Sequence, residues 1–322
     1  MRLPQLLKES IRAETGKLER RRVAQAAAQL TERYKAGDFS APAIANDAHR
    51  AAYLSIRFPA TYAVNRRIFS ELKLRAPETQ IATLLDLGAG PGTALFAAAE
   101  IFPELERATL IEADEQWIKL GKDLARASGL RQDAQWGRGD LRSGFSCGQH
   151  DLVVISYVLG ELSPDAADAV IRKAWSCARQ FLAIVEPGTP RGFSMIDSAR
   201  SALIAAGAGI VAPCPHKLRC PMAAAGDWCH FSQRLERTAE HRQLKGGDLG
   251  YEDEKFSYIV AGRQGAAVEG ARIVRHPGTH SGHIELTLCT QSGQIERKTV
   301  TRSNKERFRA ARKADWGDVW EE

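Results

Sequence analysis

In the middle of the chain the apolar residues fall into short unbroken runs, each followed by a longer helix-forming stretch. "IATLLDLG" from Ile81, "RATLIEAD" from Arg107, "HDLVVISYVLGEL" from His150 and "QFLAIVEPG" from Gln180 read as strands. "GTALFAAAEIF", "EQWIKLGKDLARAS", "DAADAVIRKAWSCA" and "GFSMIDSARSALIAAG" read as the helices between and after them. Strands without polar alternation, separated by helices, predict a parallel sheet covered on both faces. Residues 1–75 read as helical: "RRVAQAAAQLTERYKAG" is rich in strong helix formers and ends in Gly, and "AIANDAHRAAYLSIRF" is a second helix with Pro59 as its stop. After a cysteine-bearing interruption, "KFSYIVAGR" resumes as a strand. "ARIVR", "HIELTLCT" and "QIERKTVTR", with a turn at "TQSGQ", predict a small antiparallel appendage, and "KERFRAARKADWGD" a short basic helix. The expected organisation is a helical region 1–75, an α/β domain 76–263 containing a cysteine-rich insertion 210–238, and an appendage with a basic tail, 264–322.

Composition narrows the class. The chain has 322 residues, 44% hydrophobic and 26% charged, enough for a sizeable core. Six cysteines are too few for a disulfide scaffold. The N-terminus carries charge throughout and lacks the apolar stretch of a secretory signal, and no run approaches a membrane span. A cytoplasmic protein with reduced thiols, no membrane partner and a monomeric state is the expectation. The net charge of +6 biases the chain toward anionic partners, and the bias is local: between Arg297 and Lys313 eight Lys/Arg accompany one acid, Glu306. Such a field favours a phosphate backbone, with RNA the candidate.

"LLDLGAGPGT" sets Gly88, Gly90 and Gly92 between a strand and a helix, where glycines allow a sharp turn and close approach to a ligand. Asp86 ends the strand before them, and Pro91 replaces part of the amide run that a pyrophosphate cradle would use. Glu112 ends the next strand, where an acid can accept both hydroxyls of a ribose, and Asp140 in "WGRGDL" is placed to meet an adenine amino group. The loop resembles motif I of the class I methyltransferases, which implies S-adenosylmethionine; NAD is the competing ligand, without a Tyr-x-x-x-Lys pair for hydride chemistry. Catalytic residues are not evident. The segment "ISYVLGEL" offers Ser156, Tyr157 and Glu161, and lacks the polar–Pro–Pro–aromatic loop of many amino methyltransferases. Neither Cys147 nor Cys177 has the setting of an activated nucleophile.

"CPHKLRCPMAAAGDWCHF" places Cys214, Cys220 and Cys229 within sixteen residues, among prolines and charges that disfavour simple packing. No Cys-x-x-Cys is present for thioredoxin-like chemistry. Metal coordination fits better, with Cys289 as the fourth ligand or His216 or His230 in its place. The gaps of five and eight residues are wider than a zinc knuckle, which favours a [4Fe–4S] cluster and leaves zinc as the alternative.

Several segments together resemble the Rsm22 family of ribosomal small-subunit methyltransferase-like proteins, found in mitochondria and bacteria. They are "RFPATYA" from Arg57, "LLDLGAGPGTA" from Leu84, "VLGEL" from Val158, "CPHKLRCP" from Cys214, "WCHFSQR" from Trp228, "KFSYIV" from Lys255, "LCT" from Leu288 and "ARKADWGD" from Ala311. The resemblance covers almost the whole chain. It implies a class I methyltransferase-like, Rossmann-like α/β fold and a partner in the small ribosomal subunit and its rRNA. It also implies S-adenosylmethionine at Gly88, Gly90 and Glu112, and a [4Fe–4S] cluster on Cys214, Cys220, Cys229 and Cys289. Two functions follow: an assembly and translation factor that methylates small-subunit rRNA, or a non-catalytic RNA-binding assembly factor with a structural zinc site.

Overall fold

A computed structural model of the chain describes residues 2–36, 44–237, 250–264 and 270–321. The final residue of the expected insertion, 238, lies outside them. Four helices come first: α1 (Gln5–Thr15), α2 (Arg20–Ala36), α3 (Asp47–Ile56) and α4 (Phe58–Arg75). Pro59 starts α4 and does not stop α3. In a first turn its missing N–H has no intrahelical acceptor to lose, and its fixed φ suits the helix.

The central sheet contains β1 (Thr83–Leu87), β2 (Arg107–Glu112), β3 (Asp133–Arg138), β4 (His150–Ser156), β5 (Ala178–Pro187), β6 (Gly209–Ala212), β7 (Phe231–Glu236) and β8 (Tyr251–Gly262). Their order is β3-β2-β1-β4-β5-β8-β6, with β7 also on β8. β1 to β5 are parallel, as the unbroken apolar runs require. β8 is antiparallel to β5, and its other edge is shared by β6 and β7, so the sheet is mixed and not wholly parallel. The expected strand is present; the sequence holds no signal for its direction. This order and the helices on both faces make the fold a class I methyltransferase-like α/β arrangement.

Strand parity explains the two-sided burial. Leu84, Leu110, Leu152, Val154, Ala183 and Val185 face one core, shared with α4, α5 (Thr93–Ile101) and α6 (Glu115–Ala127). Leu85, Leu87, Val153, Ile155, Leu182 and Ile184 face the other, closed by α7 (Pro164–Cys177) and α8 (Pro190–Ala205). Asp151, second in β4, holds the start of β1, accepting from Ala82 N (3.1 Å), Thr83 N (2.9 Å) and Thr83 Oγ1 (2.8 Å). Cys147 and Cys177 form a disulfide across 30 positions, which corrects the expectation that every thiol is reduced.

A short helix α9 (Pro221–Ala224) lies in the cysteine segment. A second sheet, β10-β11-β9-β13 with β12 on β11, is built from β9 (Ala271–Ile273), β10 (Gly278–Thr279), β11 (His283–Cys289), β12 (Ile295–Thr301) and β13 (Val319–Trp320). It packs with α10 (Lys305–Lys313) around Ile273, Ile284, Leu286, Leu288, Val300 and Trp320. Arg272 of β9 joins the two parts. It donates to Pro213 O (2.8 Å) and Gly317 O (2.5 Å) and forms an ion pair with Glu71 of α4 (2.5 Å). Glu71 also accepts from Tyr258 Oη of β8 (2.5 Å).

Candidate functional site: a carboxylate-lined crevice and a thiol cavity

Strand order reverses at β1, which lies between β2 and β4, and the crevice beyond the strands' C-terminal ends opens there. Asp86, Gly88, Gly90, Glu112 and Asp140 all line it; Gly92 stands just behind, at the N-cap of α5. Gly88 takes φ +72°, and a Cβ there would lie 2.6 Å from Val158 Cγ2. Gly90 takes φ +54° and faces open space, with no atom within 4 Å of where a Cβ would stand. The loop therefore needs glycine at both positions, and at the second it leaves a cradle beside the crevice.

Glu112 accepts from Gly90 N through Oε2 (2.8 Å) and from Asp114 N through Oε1 (2.9 Å), which fixes its carboxylate at the end of β2. Burial raises its pKa, while those backbone N–H groups act the other way. Asp86 is buried, and its Oδ2 has no hydrogen-bond partner. Burial first, and the charge of Glu112 second, push its pKa to about 7. Asp140 differs. It is clamped by Arg142 (Nε to Oδ1 3.0 Å, Nη2 to Oδ2 2.7 Å), and that hydrogen bonding holds its carboxyl below the usual range.

Ser156, Tyr157 and Glu161 also reach the crevice. Ser156 Oγ accepts from Asn65 Nδ2 (3.0 Å). Tyr157 takes φ +62°, strained for a residue with a Cβ, and its hydroxyl is buried without a hydrogen-bond partner. Burial raises the pKa of Glu161. Sequence reasoning missed Asn65 and Glu186. Glu186, next to last in β5, accepts from Val158 N (3.1 Å) and Leu159 N (2.8 Å), and is pushed by burial to about 7. An acid closing the apolar run "QFLAIVEPG" was the available signal. Six carboxyl side chains, Asp86, Glu112, Asp114, Asp140, Glu161 and Glu186, face two guanidiniums, Arg57 and Arg142. That balance suits a nucleoside bearing positive charge and opposes the pyrophosphate of a dinucleotide.

Cys214, Cys220, Cys229 and Cys289 line one cavity, with His216 among them and Arg200 and Arg272 at its wall. His230 lies elsewhere, stacked on Trp228 and edge-on to Trp316. Cys289 Sγ is 3.4 Å from His216 Nε2, and His216 Nδ1 is buried without a hydrogen-bond partner. Burial and the neighbouring Cys214 and Cys220 push the Cys289 thiol up to about 12. Among the described residues no thiol or imidazole nitrogen of a third residue lies within 4.8 Å of both Cys289 Sγ and His216 Nε2. Among the described residues the donor set that closes to that spacing is His280, His283 and Glu285. It contains no thiolate, whereas iron in a [4Fe–4S] cluster is held by thiolates. The iron–sulfur expectation is corrected on this ground: the compact donor chemistry is that of zinc.

The family described as "Mitochondrial small ribosomal subunit Rsm22" matches residues 47–321. The chain belongs to the Rsm22 family. Among its relatives, the human mitochondrial ribosome assembly protein METTL17 is 28% identical over 287 residues, covering 83% of this chain and 61% of that protein. The fission yeast (Schizosaccharomyces pombe) mitochondrial Rsm22-cox11 tandem protein 2 is 25% identical over 326 residues, covering 84% of this chain and 42% of that protein. The chain thus spans about half the length of these Rsm22 relatives. Both are named as mitochondrial, as is the budding yeast ribosome assembly protein RSM22, and the expectation of a cytoplasmic location is corrected accordingly. Among solved structures, an O-methyltransferase family protein from Burkholderia thailandensis aligns with TM-score 0.44 and 16% identity over 70% of this chain and 62% of that one.

Proposed function

We propose that this chain is a non-catalytic, RNA-binding assembly factor of the small ribosomal subunit, built on a methyltransferase fold and holding a structural zinc ion. The observation that carries it is the basic face of β12 and α10. Arg297, Lys298, Arg302, Lys305, Arg307, Arg309, Arg312 and Lys313 lie there, and among the described residues none of them forms an ion pair with a carboxylate. α10 buries only Ala311, so packing accounts for few of these charges. A face of unneutralised cations releases counterions when it meets a phosphate backbone. The family description and the relatives' names, which refer to the small subunit and to ribosome assembly, support RNA of that subunit as the ligand. In this reading residues 264–322 form the RNA-contacting part.

The crevice supports S-adenosylmethionine as a bound ligand. Glu112 would take the ribose, Asp140 the adenine edge, and Asp86 with its free Oδ2 the cationic end, over the cradle of Gly88, Gly90 and Gly92. When bound, the cofactor supplies an electrophilic methyl group. Against turnover, the end of β4 and the residue after it present Ser156 and Tyr157 in place of an amine-holding loop, and Ser156 is already engaged by Asn65. Cys214, Cys220, Cys229 and Cys289 line one cavity with His216 beside Cys289, and because they stand wider than metal-ligand spacing they would have to draw together to hold the structural zinc.

The test is binding to small-subunit rRNA at several salt concentrations. Affinity should fall by roughly 0.7–0.9 decades per decade of salt for each phosphate neutralised, and the slope should lessen by about one per contact removed in Arg307→Ala and Arg309→Ala. Weak, salt-insensitive binding would overturn the reading. Transfer of label from S-adenosylmethionine to RNA of immature subunits would overturn its non-catalytic part.

A further inference from the structure

The β10–β11 hairpin carries a cluster that neither the crevice nor the thiol cavity uses. Its register pairs Gly278 with Glu285 and Thr279 with Ile284, and His280 N donates to His283 O (3.0 Å) to close the turn. His283 and Glu285 are two apart on β11, so they share a face, while Ile284 between them is buried on the other. His280 lies across the turn with its ring stacked on that of His283, centroids 4.4 Å apart and planes 14° from parallel. Both imidazoles hold Nε2 near one carboxylate: His280 Nε2 is 3.7 Å from Glu285 Oε2, and His283 Nε2 is 3.5 Å from Oε1; stacked rings do not share a plane, so one of them turns out of the stack when both hold one ion.

Those distances are long for hydrogen bonds, whose N···O separations run about 2.7–3.2 Å. They are close to the edge of a coordination tetrahedron, about 3.3–3.4 Å for bonds of about 2.0–2.1 Å to zinc. Gly278 lies beneath the group: a Cβ there would come 3.4 Å from His280 Nε2 and 3.4 Å from Glu285 Cβ. Two imidazoles and a carboxylate exclude calcium and magnesium, which take oxygen ligands, and suit a borderline transition ion.

We propose that His280, His283 and Glu285 form a surface site for one divalent transition-metal ion, zinc by donor chemistry, with a further coordination position open to solvent. The site is separate from the thiol cavity and does not depend on the RNA-binding reading. It adjoins the basic face, since His283 pairs with Thr301 on β12, next to Arg302. A bound ion adds positive charge to that margin.

The experiment is cobalt(II) titration of chelator-treated full-length protein, followed by visible and near-ultraviolet absorption. The hairpin site should give ligand-field bands without thiolate-to-cobalt charge transfer. That component should survive in Cys289→Ser and disappear in His280→Ala, His283→Ala and Glu285→Gln, with one equivalent of bound metal lost. The three residues are partly exposed, so the variants should keep the wild-type circular dichroism of metal-free protein. Equal metal stoichiometry in wild type and a His280→Ala/His283→Ala double variant would overturn the site. So would a spectrum in which all bound cobalt shows thiolate charge transfer. Loss of the charge-transfer component in Cys289→Ser reports on the thiol cavity alone, so the two sites fail or stand separately.

Discussion

Asp86 couples the state of the crevice to pH. Its buried carboxyl, with one oxygen unpartnered and Glu112 nearby, titrates near 7, against about 3.9 in an unfolded chain. Because the folded value is raised, the native state holds the extra proton between those limits. The stabilising contribution is therefore complete below about pH 4 and is lost as pH rises through about 7. A cationic ligand favours the carboxylate, so binding and proton release are linked. S-adenosylmethionine should bind more tightly at pH 8 than at pH 6, with proton release visible by calorimetry in buffers of different ionisation enthalpy. Asp86→Asn should weaken binding and flatten much of that dependence; a flat wild-type profile would show that Asp86 does not meet the charge. Glu186, near 7 for the same reason of burial, lines the same crevice and titrates over the same range. At this scale the sequence was informative about residue types: the acid before the glycine loop and the acid at the end of β2 could be read from order alone. The clamp of Arg142 on Asp140 and the lysine- and arginine-poor wall of the crevice could not, because both depend on side chains brought together by the fold.

Elements were legible where burial is two-sided. β1, β4 and β5 stand out because strands covered on both faces carry no polar alternation. The direction of β8 was not legible, since an apolar strand pairs either way. Pro59 misled because a proline can end one helix or begin the next, and only the tight junction of α3 and α4 decides. Within the sheet, β1 and β4 are held in register at their starts by one side chain. Desolvation works against ionised Asp151, yet hydrogen bonds from Thr83 and Gln180 and the charge of Arg179 outweigh it and keep its carboxyl below the ordinary range. Asp151→Ala leaves the amides of Ala82 and Thr83 without their acceptor, and stability should fall by about 2–4 kcal/mol. Urea denaturation reads this as a lower midpoint with an unchanged slope; an unchanged midpoint would mean water replaces the carboxylate.

The two sheets of the molecule meet at a buried charge. Glu71 receives Arg272 from the second sheet and the hydroxyl of Tyr258 from the first, while Arg272 also holds the carbonyls of Pro213 and Gly317. Removing one partner of a buried pair leaves the other charged and desolvated, so Arg272→Ala should cost about 3–5 kcal/mol. Arg272→Met with Glu71→Gln should recover much of that loss, and thermal unfolding of the single and double variants measures the difference. Equal losses in both would place the effect in the carbonyl contacts. None of this could be read from the sequence, where Glu71, Pro213, Arg272 and Gly317 are separated by up to 246 positions. The same contact sets a schedule for synthesis. Glu71 precedes Arg272 by 201 positions, so at about 5–20 residues per second it waits about 10–40 s for its counter-charge. Through that interval α4 holds a carboxylate that must stay wet, and a partly open junction beside α4 is the state in which the emerging chain meets its surroundings.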